Sequence, residues 1–180
     1  SEKNFDGVKI FNYSRGLITT IKIFCKEPFG SAVTEVFSLY NKNIYADEDV
    51  DLSKRLLQLL SVRGKTLSVA ESLTGGLVCS YIVDNSGASE YFNEGIVSYS
   101  NKSKVGRLSV DGQTIKNYGA VSYQTAYEMA AGLLSVGDCD ISIATTGIAG
   151  PDGATLSKPL GLTYIAIGTP QKVHIFKHIF

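Results

Sequence analysis

Three short segments carry residue types able to do chemistry, and each follows a stretch that reads as a β-strand. They are Glu71-Ser72-Leu73-Thr74-Gly75-Gly76, Tyr99-Ser100-Asn101-Lys102-Ser103-Lys104, and Thr145-Thr146-Gly147-Ile148-Ala149-Gly150-Pro151-Asp152-Gly153. Ligands bind open α/β sheets at the carboxyl ends of the strands, so three such turns on one edge are more informative than any alone. Taken singly each is a weak signal, because no complete Walker sequence or G-x-G-x-x-G occurs. In the first turn, Thr74, Gly75 and Gly76 precede a helical pattern and offer backbone N–H groups to a phosphate, a carboxylate or a developing oxyanion. The bland alternative is a capped helix start. Ser72, one residue past a strand, stands where an exposed nucleophile would, and equally where a cap or turn serine would.

A serine nucleophile needs a base. His174 and His178 are the only histidines and both fall near the C-terminus, so a Ser/His/Asp triad could be built only from that edge. The alternative base is a lysine whose burial drives its pKa from about 10.4 towards neutrality. Lys102 and Lys104 both follow the second strand, and the default for either is a solvated surface residue. Tyr99 reads equally as core and Thr146 as a strand end. Glu71 and Asp152 could pair as carboxylates but lie in no metal-ligand spacing. Cys25, Cys79 and Cys139 form no C-x-x-C and sit in apolar segments, so neither zinc nor a disulfide is expected.

The elements that must hold these turns follow from periodicity. Residues 15 to 25 read as a strand, and Pro28-Phe29-Gly30-Ser31 opens a helix to about Tyr40. Residues 41 to 51 are polar and acidic, which places a domain boundary near residue 46. Leu52, Leu56, Leu59 and Leu60 then fall at helical spacing, with Gly64 as the stop. Strands are expected at 66–70, 95–100 and 140–146, a helix after Gly76 carrying Leu77, Val78, Tyr81 and Ile82, and another capped by Ser122 with Ala126, Met129 and Leu133 on one face. Residues 162–168 and 173–180 form a hairpin about Thr169-Pro170-Gln171-Lys172. Alternating strands and helices imply an α/β fold, a three-layer α/β/α sandwich on a mixed, mostly parallel sheet, with a partial small α/β element at the N-terminus.

Composition excludes several classes. The chain has 180 residues, and Lys+Arg equals Asp+Glu at 17 each, so no net field draws it to nucleic acid or to an anionic bilayer. No apolar run reaches the roughly 18 residues a membrane helix needs, and the first residues lack the order of a secretory signal, so a cytoplasmic protein is expected.

At the three turns the sequence resembles the C-terminal domain of the competence/damage-inducible protein CinA, a family that includes stand-alone nicotinamide mononucleotide (NMN) deamidases. The resemblance is carried by Ala70-Glu71-Ser72-Leu73-Thr74-Gly75-Gly76, by Gly95-Ile96-Val97-Ser98-Tyr99-Ser100-Asn101 with Lys104, by Gly119-Ala120-Val121-Ser122, and by Thr146 to Gly153 followed by Lys158-Pro159 and Gly161. It implies metal- and cofactor-free hydrolysis of NMN to nicotinate mononucleotide and ammonia, with Ser72 as nucleophile, Lys104 as base, and Tyr99 and Thr146 completing the polar network. Glu71, Thr74, Gly75, Gly76, Asn101, Gly147, Gly150 and Gly153 are then the expected substrate-binding residues. Backbone N–H groups around Thr74-Gly75-Gly76 or Thr146-Gly147 would take the oxyanion or the phosphate, the choice between them staying open. Leu73 stands where many relatives carry Cys.

By the same resemblance, residues 1–46 are expected to be the end of a small linker domain and 47–180 a deamidase-like domain. The latter is expected to lack the final helix and its active-site arginine, and the larger molybdopterin-binding-like domain with its pyrophosphatase activity is not carried over. The rival reading is a nucleotide-binding or scaffolding domain without turnover. Direct DNA binding is disfavoured by the balanced charge, and a homo-oligomer is compatible with the sequence.

Overall fold

The computed structural model describes residues 8–15, 18–25 and 30–180. Two compact units result, residues 1–55 and 56–180. In the first, β1 (Val8–Arg15) and β2 (Ile18–Cys25) pair antiparallel, Val8 opposite Cys25 and Arg15 opposite Ile18, and α1 (Ser31–Tyr40) follows. One strand is expected here from sequence and two are found, because β1 carries charged and polar residues between its apolar ones and reads as a loop. Part of the expected helix start, Pro28 and Phe29, lies outside the described residues, as does Leu17 of the expected strand. The unit's exposed Phe11 and Phe24 rings meet edge to face with centroids 5.7 Å apart.

The division between the units falls within α2 (Leu52–Arg63). Beyond it, β3 (Leu67–Glu71), β4 (Phe92–Val97), β5 (Ile141–Gly147), β6 (Leu162–Thr169) and β7 (Lys172–Ile179) form one sheet in the order β4-β3-β5-β6-β7. β3 is parallel to both β4 and β5, while β6 is antiparallel to β5 and β7 to β6, so β6 alone runs against the other four. The sheet is thus mixed and mostly parallel, as the alternation predicts. β3 is buried at every position, as expected of a central strand covered on both faces.

Helices cover both faces. On one, α4 (Asn101–Leu108), α5 (Gly112–Tyr118) and α6 (Tyr123–Val136) bury Leu108, Ile115, Ala126, Met129, Ala130 and Leu133 against Ala70, Ala144 and Ala166. On the other, α2 and α3 (Leu77–Val83) bury Leu57, Leu60 and Ile82 against Leu67 and Val69. Each buried Leu or Met contributes about 1.5–3 kcal/mol from removal of apolar area from water. α6 starts where the sequence places it, with Ser122 Oγ accepting the Thr125 N–H at 3.1 Å. α4 and α5 are not foreseen, since both are short and mostly polar. Ser100 and Asp111 cap them, accepting from the amides of Ser103 and Gln113. A side chain at Gly132 of α6 would collide with the Leu108 carbonyl, so glycine lets α4 close on α6.

The connection leaving β3 crosses to the α3 face and the one leaving β4 crosses to the α4 face. Divergence of neighbouring connections opens a crevice at the carboxyl ends of the two strands. β4 starts three residues earlier than the expected strand at 95–100 and ends at Val97, which places Ser98, Tyr99 and Ser100 in the connection to α4.

Candidate active site

Glu71 ends β3 and Ser72 follows it, so strand alternation sends the two side chains to opposite faces. Glu71 is completely buried, and its carboxylate accepts the amides of Gly76 (3.0 Å), Val78 (3.2 Å) and Cys79 (2.8 Å) at the start of α3. Gly75 and Gly76, with φ of +62° and +101°, bend the chain back so that these amides reach it. Burial on its own would raise the Glu71 pKa, but hydrogen bonds from Cys79, Thr74 and the Val78 amide outweigh it and hold the carboxyl below its ordinary value. Burial and the Glu71 charge push the neighbouring Cys79 thiol up to about 12, which makes it an inert packing group.

On the other face, Lys104 on α4 is 1% exposed and Ser72 7% exposed. The lysine Nζ lies 2.9 Å from Ser72 Oγ, 2.7 Å from the Ser98 carbonyl oxygen and 3.2 Å from that of Tyr99. No carboxylate pairs with it among the described residues. Loss of hydration therefore pulls its pKa below 10.5 with nothing to restore the charge. A neutral amine has two N–H donors and one lone pair. As an ammonium, Nζ donates to all three oxygens; deprotonated, with its two donors on the carbonyls, it would turn its lone pair to the Ser72 hydroxyl, as a general base must. Lys102, two positions earlier on the same helix, is exposed. Lys104 and Leu108, four apart, form the inward face of α4.

The other expected site residues divide. The Ser72 amide donates to the Thr145 carbonyl at 3.0 Å, and Thr74 and Thr145 join hydroxyls at 2.8 Å, so Thr145, which sequence reading passes over, ties the turn to β5 at two points. The Gly75 amide is taken by the Ser72 carbonyl and that of Gly76 by Glu71, which leaves the Leu73 and Thr74 amides as the ones in this turn without a partner among the described residues. This narrows the expected donor set. Glu71 is committed to the turn's own amides. Tyr99 meets Lys104 through its carbonyl, its phenol side chain being 73% exposed. Thr146 is fully buried and donates to the Ala120 carbonyl at 2.8 Å, with no bond to Ser72 or Lys104.

Gly147 packs against Leu73, whose Cδ1 would lie 2.7 Å from a Cβ placed there. Gly150 and Gly153 lie exposed in the loop before β6. Asn101 is exposed at the start of α4, in a depression of about 390 Å³ with Lys102, Val105, Gly106, Gly112 and Ile115 that contains neither Ser72 nor Lys104. His174 and His178 are exposed on β7, Cys79 and Cys139 are free thiols, and the Cys25 side chain lies outside the described residues. Among the described residues no group of His, Cys, Asp or Glu could hold a metal ion, and no helix is long and apolar enough to cross a membrane.

Comparison with known proteins agrees on one family. The model of the CinA C-terminal domain matches residues 49–180. A relative named competence-damage inducible protein from Clostridium beijerinckii is 45% identical over 146 residues, 81% of this chain and 36% of its own length. Another of that name from Acetivibrio thermocellus is 40% identical over 170 residues, 90% of this chain and 41% of its own. This chain therefore spans about a third of the length of such relatives. Among solved structures, the competence/damage inducible protein CihA from Agrobacterium tumefaciens superposes with a TM-score of 0.70 at 35% identity, covering 72% of this chain and 79% of that one. A CinA superfamily protein from Escherichia coli gives 0.70 at 32% identity, covering 78% and 85%. The chain belongs to the CinA C-terminal domain family.

Proposed function

We propose that this member of the CinA C-terminal domain family is an amidohydrolase of the cytoplasm that converts NMN and water to nicotinate mononucleotide and ammonia, with Ser72 as nucleophile and Lys104 as its base. The observation that carries the reading is the buried lysine without a carboxylate partner among the described residues, 2.9 Å from a buried serine hydroxyl at the carboxyl ends of β3 and β4. Lysine burial of this kind costs stability, and what it supplies in return is an amine that gives up its proton more readily than a solvated lysine.

In the reaction, Ser72 Oγ bonds to the amide carbonyl carbon while its proton passes to Lys104 Nζ. The C–N bond then breaks as Lys104 returns that proton to the departing nitrogen, which leaves as ammonia. Water attacks the resulting ester, Lys104 takes the water's proton, and the Ser72 oxygen recovers it as the acid is released. The Leu73 and Thr74 amides are the donors left for the tetrahedral oxyanion, Gly75 and Gly76 having partners already. The rest of the nucleotide falls to Asn101 and the Gly147–Gly153 segment. Residues 47–180 are the deamidase-like domain in this reading and 1–46 the end of a linker domain. The partner is the nucleotide alone, with self-association into a homo-oligomer as the further expectation.

Ammonia release from NMN by the chain and by Ser72→Ala tests the reading. Turnover lost in the variant supports it. Retained NMN binding with no ammonia from either protein overturns it in favour of a nucleotide-binding domain without turnover.

A further inference from the structure

The loop from Ala149 to Leu160 is exposed at every position but Lys158, and among the described residues its hydrogen bonds are local with one exception. Its base is closed by the Ile148 amide on the Leu162 carbonyl and the Gly161 amide on the Ile148 carbonyl, both at 2.9 Å. Thr155 and Lys158 bridge each other within it. The exception is the Lys158 ammonium, which donates to the carbonyl of Tyr118 (2.6 Å), the last residue of α5, and to that of Val121 (2.7 Å) just beyond it.

Those carbonyls belong to a stretch in which every backbone oxygen is claimed by a side chain. Gly119 accepts from Ser122 and Thr125, and Ala120 from Thr146. A Cβ on Gly119 would stand 2.8 Å from Lys158 Nζ, so the ammonium occupies the space that a side chain there would fill. Thr146 at the end of β5 and Lys158 in the loop thus grip one four-residue segment from two sides, and Gly147 between them packs on Leu73 beside the nucleophile.

We propose that Lys158 is a positioning residue that latches the Ala149–Leu160 loop to the Tyr118–Val121 segment and so fixes the loop beside the Ser72 turn for nucleotide binding. Its kinetic consequence rests on the deamidase reading, while the latch itself does not. An ordered loop binds substrate without paying the ordering cost at that moment, so the latch acts on KM and leaves the chemical step alone.

The test uses the full chain with Lys158→Met and Lys158→Arg, reading amide hydrogen exchange of residues 149–157 together with kcat and KM for NMN. Lys158→Met should speed exchange in that loop about tenfold and raise KM about tenfold with kcat within about twofold, as expected for two carbonyls left without donors. Lys158→Arg, which keeps two donors on one group, should restore most of both. Unchanged loop exchange overturns the latch, as does acceleration equal throughout β3 and α6, which would make Lys158 a determinant of the whole fold. In an active enzyme, faster exchange with unchanged KM, or a fall in kcat at constant KM, overturns the positioning role. Should the unsubstituted chain release no ammonia, the deamidase reading fails and the exchange comparison still decides the latch.

Discussion

Two ionisable side chains are buried on opposite sides of the same strand end, and the protein treats them in opposite ways. Glu71 faces α3 and receives three backbone N–H groups, so its charge is solvated by the protein and its pKa is held low with the ionised form favoured. Lys104 faces the end of β4 and finds a hydroxyl and two carbonyls but no carboxylate, so its pKa is low because the ionised form is disfavoured. A shift of the same direction means structural satisfaction in one group and chemical readiness in the other. The difference teaches that a depressed pKa has to be read with its partners. Donors around a carboxylate build a turn, whereas a cation deprived of its counter-charge is left with a weaker hold on its proton, as the proposed base requires.

The comparison breaks first, and most visibly, at Lys104. Lys104→Met should lower ammonia release from NMN by about a thousandfold or more, while Lys102→Met, exposed two positions away, should leave it within about twofold. The residual pH profile of the unsubstituted chain should rise through a midpoint below 10.5, because activity follows the neutral amine of Lys104. Equal losses from the two substitutions would remove Lys104 from its role.

Glu71 gives the next largest effect, on stability instead of turnover. Glu71→Gln keeps one acceptor oxygen but turns an NH2 group towards amides that already donate, which should cost about 2–3 kcal/mol in urea denaturation at neutral pH. Since the folded carboxyl titrates below its ordinary value of 4.5, this stabilisation is present above that pH and is lost as pH falls through the folded pKa. The gap between the two proteins should therefore narrow in acid. A gap independent of pH would mean that Glu71 acts through packing and not through its charge.

Much of this pair was legible before any coordinates, and the illegible part has a physical cause. The turn that holds Ser72 is legible because an apolar strand ends just before it and two glycines follow, but that pattern leaves the serine equally a cap, and its role as nucleophile rests on the family resemblance. β5, the β6–β7 hairpin and the Ser122 cap were found by the same kind of periodicity. Lys104 could not be told from Lys102 by pattern, because α4 is eight residues long and polar, and its single apolar anchor at the inward face is Leu108. Had Lys104 and Leu108 been read as an i, i+4 pair, the lysine would have stood out as a charge on a core face. The commitment of Glu71 to its own turn, and the double tie of Thr145, depend on where Gly76 sends the chain, and spacing alone does not report that.

The finest test of the contrast is the slope of stability against pH, where the two groups must act in separate ranges. For Lys104 the folded pKa lies below the unfolded one, so between those values the unfolded chain binds more protons and stability must rise with pH. One such proton is worth at most about 1.4 kcal/mol per pH unit. Cys79 works the other way: its folded pKa of about 12 lies above the ordinary thiol value of 9.0, so above that lower value the folded chain binds more protons and stability falls. Subtracting the stability of Lys104→Met from that of the unsubstituted chain cancels the Cys79 contribution, which both proteins share. The difference should rise by up to about 1 kcal/mol per pH unit between the folded and the unfolded lysine pKa and flatten as pH passes the unfolded one, measured by urea titration at each pH. A flat difference over the whole range would mean that Lys104 stays charged when buried, and the lone pair that the Ser72 proton transfer needs would not be there.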